Sequence, residues 1–290
     1  MCARPAPADR TADSLREFGV IVVDKPPGPS SHQVSAWVRD MLAIERAGHV
    51  GTLDPAVTGC LPILLGEATR LAQATVTGPK RYIAVLELHD RVPATYERIL
   101  SEFTDEIYQK PPRKSAVRRR LRTREIYALD ALETTDRQML LDITCESGTY
   151  IRKLCHDLGL ALGVGGHMGE LRRIETTPFD DTGLVTLYEL ADAIAFAEEG
   201  EPELIESLIQ PAEAALEHIP QVTVAPNVVE SVAHGSPIYA PGIIACPDNV
   251  DSTELVACFL PDGTAICLGR VVGDPDNDSG EVVSLERVLV

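Results

Sequence analysis

Residues 48–59 (GHVGTLDPAVTG) concentrate side chains that could do chemistry, because Gly, Thr and Pro surround a single carboxylate, Asp54. Glycines on both sides of Asp54 allow the backbone to approach a ligand closely, and the same segment carries His49. An Asp that precedes Pro is more often a turn-former. The segment therefore predicts a rigid loop that presents Asp54 to a ligand, with a simple turn as the alternative.

Two further segments carry candidate groups. Residues 145–159 (CESGTYIRKLCHDLG) place Tyr150 and Arg152 in the first turn of a predicted helix. An Arg there can pair with a carboxylate and keep it ionised, and a Tyr hydroxyl can orient or exchange a proton, although a lone Tyr is more often a core aromatic. Residues 24–32 (DKPPGPSSH) predict a Pro- and Gly-rich loop, which alone indicates no chemistry.

A mixture of strands and helices must position these segments. Hydrophobic periodicity predicts strands at residues 18–23, 81–89, 122–129 and 138–145, and helices at residues 31–42, 95–103, 150–162 and 187–199. Beyond Pro211, short β-rich runs alternate with Pro, Gly, Asn and Asp, which predicts a small β-barrel-like module. We therefore predict an α+β fold with a mixed sheet, divided into a flexible N-terminal segment (1–17), a main domain (18–218) and a terminal module (219–290).

Composition narrows the class of protein. The chain has 290 residues, 44% of them hydrophobic, yet it contains no apolar run long enough to cross a bilayer and no signal-peptide core at its start. We therefore predict a soluble, cytoplasmic protein. Its seven cysteines are scattered and never form a Cys-x-x-Cys pair, so we predict neither a disulfide framework nor a metal site, and no cofactor.

The charge is distributed unevenly. Residues 1–174 hold 24 basic and 22 acidic side chains, whereas residues 175–290 hold 2 basic and 22 acidic ones, and the whole chain has a net charge of −18. Such acidity costs little self-repulsion in concentrated salt and keeps a protein hydrated. We therefore predict a protein from a halophile, with an ordinary acidic protein that binds no polyanion as the alternative.

One segment opposes this acidity, because residues 110–124 (KPPRKSAVRRRLRTR) contain eight basic side chains and no acid. Such a run is often a solvated face or a flexible tail, but this one leads directly into a predicted strand. We predict that it forms a ridge that contacts phosphates. The members of this basic ridge are Lys110, Arg113, Lys114, Arg118, Arg119, Arg120, Arg122 and Arg124.

Several ordered blocks together resemble one family. The blocks GVIVVDKPPGPSSH, AGHVGTLDPAVTGCLPILLGEATRL, KRYIAVLELH, KPPRKSAVRRRLRTR and ESGTYIRKLCHDLGLALGVGGHMGELRR, with the terminal module, resemble the archaeal and eukaryal H/ACA guide-RNA pseudouridine synthases, the dyskerin family. The motif GTLDPxxTG is specific to that family and to the related bacterial synthases of the TruB type. The terminal module resembles the RNA-binding PUA domain. The resemblance covers roughly residues 18–275 and implies a pseudouridine synthase catalytic domain followed by a PUA domain.

The resemblance also implies roles for single residues. Asp54 matches the catalytic aspartate, which attacks a flipped-out uridine at the ribose C1′ or the uracil C6 so that uracil leaves nitrogen, rotates and rejoins through C5. Arg152 matches the arginine that pairs with this aspartate, and Tyr150 matches a tyrosine that handles a proton. Four further positions match substrate-binding or nearby positions: Tyr82, which stacks on the base, Leu171, which packs over it, and His49 and Lys25, which match positions near the RNA path or in a structural motif.

The same resemblance implies partners but leaves alternatives open. It implies an H/ACA guide RNA, small accessory proteins of the H/ACA complex and a substrate rRNA or tRNA, with no membrane. A guide-independent tRNA pseudouridine synthase is one alternative, and a non-catalytic RNA-binding scaffold is another. The chain departs from the family pattern at Val50 and at residues 174–177, so contacts expected at these positions do not transfer.

Overall fold

The computed structural model describes residues 4–110, 120–247, 250–251 and 253–290. Its helices are α1 (Ala12–Glu17), α2 (Ser31–Met41), α3 (Ala72–Thr75), α4 (Tyr96–Glu102), α5 (Ile151–Ala161), α6 (Leu187–Glu198), α7 (Glu203–Leu208) and α8 (Val229–Ala233). Its strands are β1 (Gly19–Lys25), β2 (Ala47–His49), β3 (Thr58–Leu65), β4 (Lys80–Leu88), β5 (Asp105–Gln109), β6 (Arg122–Thr134), β7 (Gln138–Cys145), β8 (Gly166–Thr176), β9 (Phe179–Asp180), β10 (Gln210–Pro211), β11 (Gln221–Val224), β12 (Ile238–Tyr239), β13 (Ile243–Ala245), β14 (Leu255–Phe259), β15 (Ala265–Val271) and β16 (Glu281–Val288).

Ten strands form one mixed sheet in the order β10-β1-β3-β8-β4-β7-β6-β5, with β2 paired to β3 and β9 paired to β8. The pairing of β3 with β8 is parallel, whereas β4 pairs antiparallel with both β7 and β8. Because β8 lies between β3 and β4, it brings the segment after β2 close to the start of α5, which packs on β8 and β4. The centre of this sheet therefore carries the segments that the sequence singled out.

Amphipathic helices cover the sheet. In α2, Val34 and Val38 are fully buried, and the Ser30 side chain caps the helix by accepting a hydrogen bond from the backbone N–H of Gln33 at 3.2 Å. In α6, Thr186 and Glu189 form a reciprocal capping box, which fixes where the helix begins. No helix among the described residues is long and apolar enough to cross a membrane.

The terminal module is a six-stranded sheet in the order β12-β16-β15-β14-β11-β13. Its own core includes Val222, Ile266 and Val283, all of which are buried. A second cluster joins the module to the ten-stranded sheet, because Phe18 and Leu64 share it with Phe259 and Leu289. The α+β fold with a mixed sheet and a barrel-like terminal module is thus confirmed, while the division at residue 219 stays a prediction.

The N-terminal segment differs from the prediction. We expected residues 1–17 to be flexible, but Ala12–Glu17 form α1, and its Ala12 and Leu15 are buried. Arg10 is also buried and forms a two-pronged ion pair with Glu213, with both N–O distances 2.6 Å. Burial and an ion pair with a distant residue hold this part of the segment against the protein, while flexibility elsewhere in residues 1–17 stays a prediction.

Candidate active site

Asp54 and Arg152, which are 98 positions apart in the sequence, form an ion pair. Asp54 lies in the loop between β2 and β3, and Arg152 lies in the first turn of α5. The Arg152 guanidinium donates a hydrogen bond to Asp54 Oδ2, and both side chains remain about half exposed, at 51% and 54%. The structure therefore places an ionised carboxylate where a ligand can reach it.

Buried polar groups hold the Asp54 loop from below. Lys25 is completely buried, and its ammonium donates to the backbone carbonyls of Pro26 at 2.9 Å, Pro55 at 3.0 Å and Val57 at 2.8 Å. The buried Ser31 hydroxyl exchanges hydrogen bonds with the backbone of Leu53. Lys25, expected near the RNA path or in a structural motif, thus binds the residue after Asp54, while Ser31 binds the residue before it.

Arg173 holds the segment that precedes Asp54. Its side chain is buried and donates to the carbonyls of Cys60 at 2.8 Å, Gly51 at 3.0 Å and Val50 at 3.3 Å. Gly51 has a φ of +71°, and a Cβ built there would lie 2.9 Å from the guanidinium, so the loop needs glycine at this position. Arg173 was not among the predicted site residues, because the sequence does not show that a basic residue in a strand binds backbone carbonyls.

A cleft of ≈490 Å³ opens over Asp54. It is lined by residues from the Asp54 loop, from β4, from the turn before α5 and from β8. Among the predicted site residues, Asp54, Tyr82, Tyr150, Arg152 and Leu171 line this cleft, together with Lys80, Met168 and Arg173. His49 and Lys25 do not belong to the described lining. The cleft has the size of a small-molecule site and suits one nucleobase with its ribose.

Tyr82 on β4 and Leu171 on β8 form the apolar part of the cleft wall, beside the cations Lys80 and Arg173 of the same two strands. Tyr82 pairs with Arg173 across these two strands, and Leu171 pairs with Ala84. Burial raises the pKa of Tyr82, an effect that the neighbouring Arg173 cation opposes, and the phenol stays neutral. The aromatic ring and Leu171 therefore offer flat and aliphatic surfaces to a base in the cleft.

Gln109 fixes the backbone of Tyr150. The Tyr150 N–H donates to Gln109 Oε1 at 2.9 Å, and Gln109 Nε2 donates to the Tyr150 carbonyl at 3.2 Å. Gln109 is buried at the end of β5, whereas Tyr150 directly precedes α5. Gln109 was not among the predicted site residues. The sequence marks it only as a polar residue that directly precedes the basic ridge.

His49 lies behind the loop. Its ring nitrogens contact the hydroxyls of Ser35 at 3.3 Å and Thr52 at 3.1 Å, and its ring meets that of His32 edge-on at 4.6 Å. Burial, followed by the neighbouring His32 and Arg173, lowers the pKa of His49 to about 4. The imidazole is therefore neutral at physiological pH, and it touches the cleft through Thr52, which lines it.

The basic ridge is described in part. Arg113, Lys114, Arg118 and Arg119 lie outside the described residues. Lys110 and Arg120 are exposed, whereas Arg124 is mostly covered and donates to Glu146 at 3.3 Å, beside the turn at Gly148. Arg120, Arg122 and Arg124 line a second, open cavity of ≈570 Å³ together with the exposed Tyr108. Arg124 thus braces the turn before Tyr150, a contact that the prediction of a phosphate ligand did not include.

The described residues contain no group of three or more His, Cys, Asp or Glu side chains that could hold a metal ion. The cleft itself contains a carboxylate, cations and tyrosines. A carboxylate can act as a nucleophile or a base, an adjacent Arg favours its charged form and an aromatic ring can stack on a base, and these roles of Asp54, Arg152 and Tyr82 stay predictions.

Family models match four parts of the chain. They are the DKCLD (NUC011) domain at residues 5–35, the TruB family pseudouridylate synthase N-terminal domain at residues 39–95, the tRNA pseudouridylate synthase B C-terminal domain at residues 152–217, and the PUA domain at residues 220–277. The Asp54 loop lies within the second match and Arg152 opens the third.

Relatives and solved structures match over almost the whole chain. A probable tRNA pseudouridine synthase B from Halobacterium salinarum is 57% identical over 100% of both chains, and one from Pyrococcus abyssi is 43% identical over 98% of this chain and 87% of its own. A chain in a crystal structure of a Cbf5-Nop10-Gar1 complex is 42% identical, with a TM-score of 0.94 over 99% of this chain and 90% of that one.

A chain in the structure of an H/ACA RNP bound to a substrate RNA containing 2′-deoxyuridine is similar as well. It is 40% identical, with a TM-score of 0.92 over 98% of this chain and 89% of its own. With matches at this identity along the full length, the resemblance seen in the sequence is confirmed. The chain belongs to the TruB family of pseudouridine synthases, in the branch that contains Cbf5 and dyskerin.

Proposed function

We propose that this pseudouridine synthase isomerises specific uridines as the catalytic subunit of an H/ACA guide ribonucleoprotein, with Asp54 as its nucleophile. The observation that carries the proposal is the Asp54–Arg152 ion pair at the base of a cleft that also presents Tyr82 and Leu171. A non-catalytic scaffold would have no need to hold a charged carboxylate in an open cleft with four buried hydrogen bonds to its loop.

The geometry supports the following sequence of steps. A uridine flipped out of its RNA enters the cleft, and its base lies against Tyr82 with Leu171 over it. The Asp54 carboxylate attacks C1′ of the ribose or C6 of the uracil, the bond between C1′ and N1 breaks, and the uracil rotates. C5 then binds C1′, the C5 proton is lost and N1 gains a proton. Tyr150, at the edge of the same cleft, is placed to handle one of these protons.

The proposed partners are an H/ACA guide RNA, a substrate rRNA or tRNA and small accessory proteins. Support comes from the solved relatives, which include chains of a Cbf5-Nop10-Gar1 complex, an archaeal Nop10-Cbf5 complex and an H/ACA RNP bound to a substrate RNA. The PUA domain would hold the guide RNA, and the basic ridge would contact phosphates beside the cleft. The names of the curated relatives support the second candidate, a tRNA pseudouridine synthase that needs no guide.

Tritium release from RNA labelled at uridine C5 tests both candidates, because C5 loses its hydrogen in the isomerisation. The assay compares wild type with Asp54→Asn in high KCl, using a matched guide RNA with accessory proteins in one arm and bare tRNA in the other. We expect release by wild type in the guided arm, no release by Asp54→Asn, and RNA affinities within a few fold of each other. Turnover by Asp54→Asn would refute the nucleophile, and equal release without a guide would favour the tRNA enzyme.

A further inference from the structure

Lys80 places a positive charge on the floor of the cleft. It opens β4 two residues before Tyr82, so the two side chains lie on the same face of the strand. The Lys80 side chain is almost fully buried, lines the same cleft as Asp54, and donates a hydrogen bond to the carbonyl of Gly78 at 2.7 Å. The family resemblance drew attention to Tyr82 in this strand and assigned nothing to Lys80.

Arg173 adds a second charge to the same floor. Its guanidinium donates to three backbone carbonyls, and the ion pairs formed within the described parts of the chain include neither Arg173 nor Lys80. Arg152, which also lines the cleft, differs because it pairs with Asp54. Two buried cations without a carboxylate are costly, and such groups concentrate where a binding or reacting group carries the opposite charge.

We propose that Lys80 and Arg173, which we call the cationic floor, stabilise the negative charge that uracil acquires while it is isomerised. The inference rests on the proposed function and adds a charge-stabilising group to it. Preorganised cations that face developing charge in a site shielded from water are among the strongest contributions to catalysis.

Either route of attack puts this charge on the base. If Asp54 binds C1′, the bond between C1′ and N1 breaks, and its electron pair leaves with uracil and spreads to O2 and O4. If Asp54 binds C6, the electron pair of the C5–C6 double bond moves onto C5 and O4. In both routes the bond between C1′ and N1 breaks before C5 binds C1′. C5 then loses its proton, N1 gains one, and the bond to Asp54 breaks so that its carboxylate is released. Lys80 neither gains nor loses a proton over the whole reaction.

The charge state of Lys80 predicts the direction in which the reaction rate depends on pH. Burial, followed by repulsion from Arg173, lowers the pKa of Lys80 to about 8. Lys80 is therefore charged at neutral pH and loses its charge as the pH rises through about 8. The groups that face Lys80 are Arg173 and Glu175 on β8, Cys145 on β7, Cys60 on β3, and His218 near the start of the terminal module.

The test is the single-turnover rate of tritium release by the assembled complex, measured from about pH 6 to about pH 10. We expect the wild-type rate to fall as the pH rises through about 8. Lys80→Met should be about 100-fold slower at neutral pH and should lack this fall, because no ammonium remains. Lys80→Arg should keep its rate at high pH, because a guanidinium stays charged.

Arg81→Met is the matched control. Arg81 is the next residue on β4, faces the opposite side of the sheet, and pairs with Asp142 at 2.6 Å. Its loss removes one cation from the same strand but none from the cleft, so we expect a rate within about twofold of wild type and the same fall at high pH.

The outcomes separate this inference from the proposed function. A wild type without turnover would overturn both. An active wild type whose rate and pH profile survive in Lys80→Met would overturn the cationic floor alone. RNA affinity and thermal unfolding of each variant are measured in parallel. If Lys80→Met fails to fold, Lys80→Arg tests the inference instead. A fall in its rate near pH 8 as large as that of wild type would overturn the inference.

Discussion

The Lys25 ammonium donates a hydrogen bond to the carbonyl oxygen of Pro55, 3.0 Å away, and Pro55 directly follows the proposed nucleophile. The same ammonium binds the carbonyls of Pro26 and Val57, so one buried cation joins the end of β1 to the Asp54 loop. Burial lowers the pKa of Lys25, because it penalises the charged ammonium. The position of Asp54 therefore depends on a residue that does not line the cleft.

Replacing Lys25 with Met should leave these carbonyls without their donor. We expect the free energy of unfolding to fall by about 2 to 4 kcal/mol and the single-turnover rate to fall at least about tenfold, with little change in RNA affinity. Denaturant unfolding and tritium release measure the two effects. Arg39→Met removes an exposed cation paired with Asp40 and should change stability by less than about 0.5 kcal/mol. An active, fully stable Lys25→Met variant would contradict this role.

His49 should make the stability of the protein depend on pH. Its pKa is about 4 in the folded protein, against 6.5 for an ordinary imidazole, so the unfolded chain takes up a proton first as the pH falls. The part of the free energy of unfolding that depends on neutral His49 is fully present above pH 6.5 and is lost as the pH falls towards about 4. Because the ring is partly exposed, we expect a loss of roughly 1 to 2 kcal/mol across this range.

The comparison is with His49→Gln, which keeps hydrogen-bonding groups near Ser35 and Thr52 but does not titrate in this range. Urea unfolding at intervals between about pH 4 and about pH 7 should give a shallower pH dependence for the variant than for wild type. Parallel curves would show that His49 is not the source of the dependence.

The exposed members of the basic ridge should carry the salt dependence of RNA binding. Reversing Lys110 and Arg120 to Glu removes two cations at the edge of the open cavity near Tyr108. We expect weaker RNA binding and a slope of log K against log salt that is shallower by about 2. The matched control reverses Arg91 and Arg98, which are 80% and 72% exposed, and changes the net charge equally. Equal effects of both pairs would assign the salt dependence to overall charge.

The sequence was informative where periodicity was simple. The predicted strand at residues 138–145 coincides with β7, and the predicted helix at residues 31–42 exceeds α2 by one residue. Two central strands were missed. β3 contains Pro62, a residue that normally argues against a central strand, and β8 carries charged side chains that pair with Asp24 or bind carbonyls. Tertiary contacts therefore stabilise strands that contain residues locally unfavourable for a strand.

In the candidate site, too, some residues were predicted and others were not. The resemblance pointed to Asp54, Tyr82, Tyr150, Arg152 and Leu171, and the structure brings all five to one cleft, while their roles stay predictions. Arg173 and Gln109 were missed because both bind backbone groups of distant segments. A backbone group has the same chemistry at every residue, so the sequence contains no mark of such a partner. Supporting residues are therefore harder to predict than the groups that face the ligand.

The buried pair of Arg10 and Glu213 should couple the N-terminal segment to the end of the main domain, which contacts the terminal module through Ala265. Glu213 accepts two hydrogen bonds from Arg10 at 2.6 Å and one from the backbone N–H of Ala265 at 3.2 Å, whereas Arg10 also donates to the Phe18 carbonyl. We expect Glu213→Met to cost about 3 to 5 kcal/mol of unfolding free energy, because it leaves the Arg10 charge buried without a partner.

A double-mutant cycle measures this coupling. Adding Arg10→Met to Glu213→Met should recover part of the loss, because the unpaired cation is then removed as well. The exposed pair of Arg16 and Asp13, whose atoms are 3.3 Å apart, serves as the control and should couple by less than about 1 kcal/mol. Strictly additive losses at Arg10 and Glu213 would mean that the two side chains contribute to the free energy of unfolding independently.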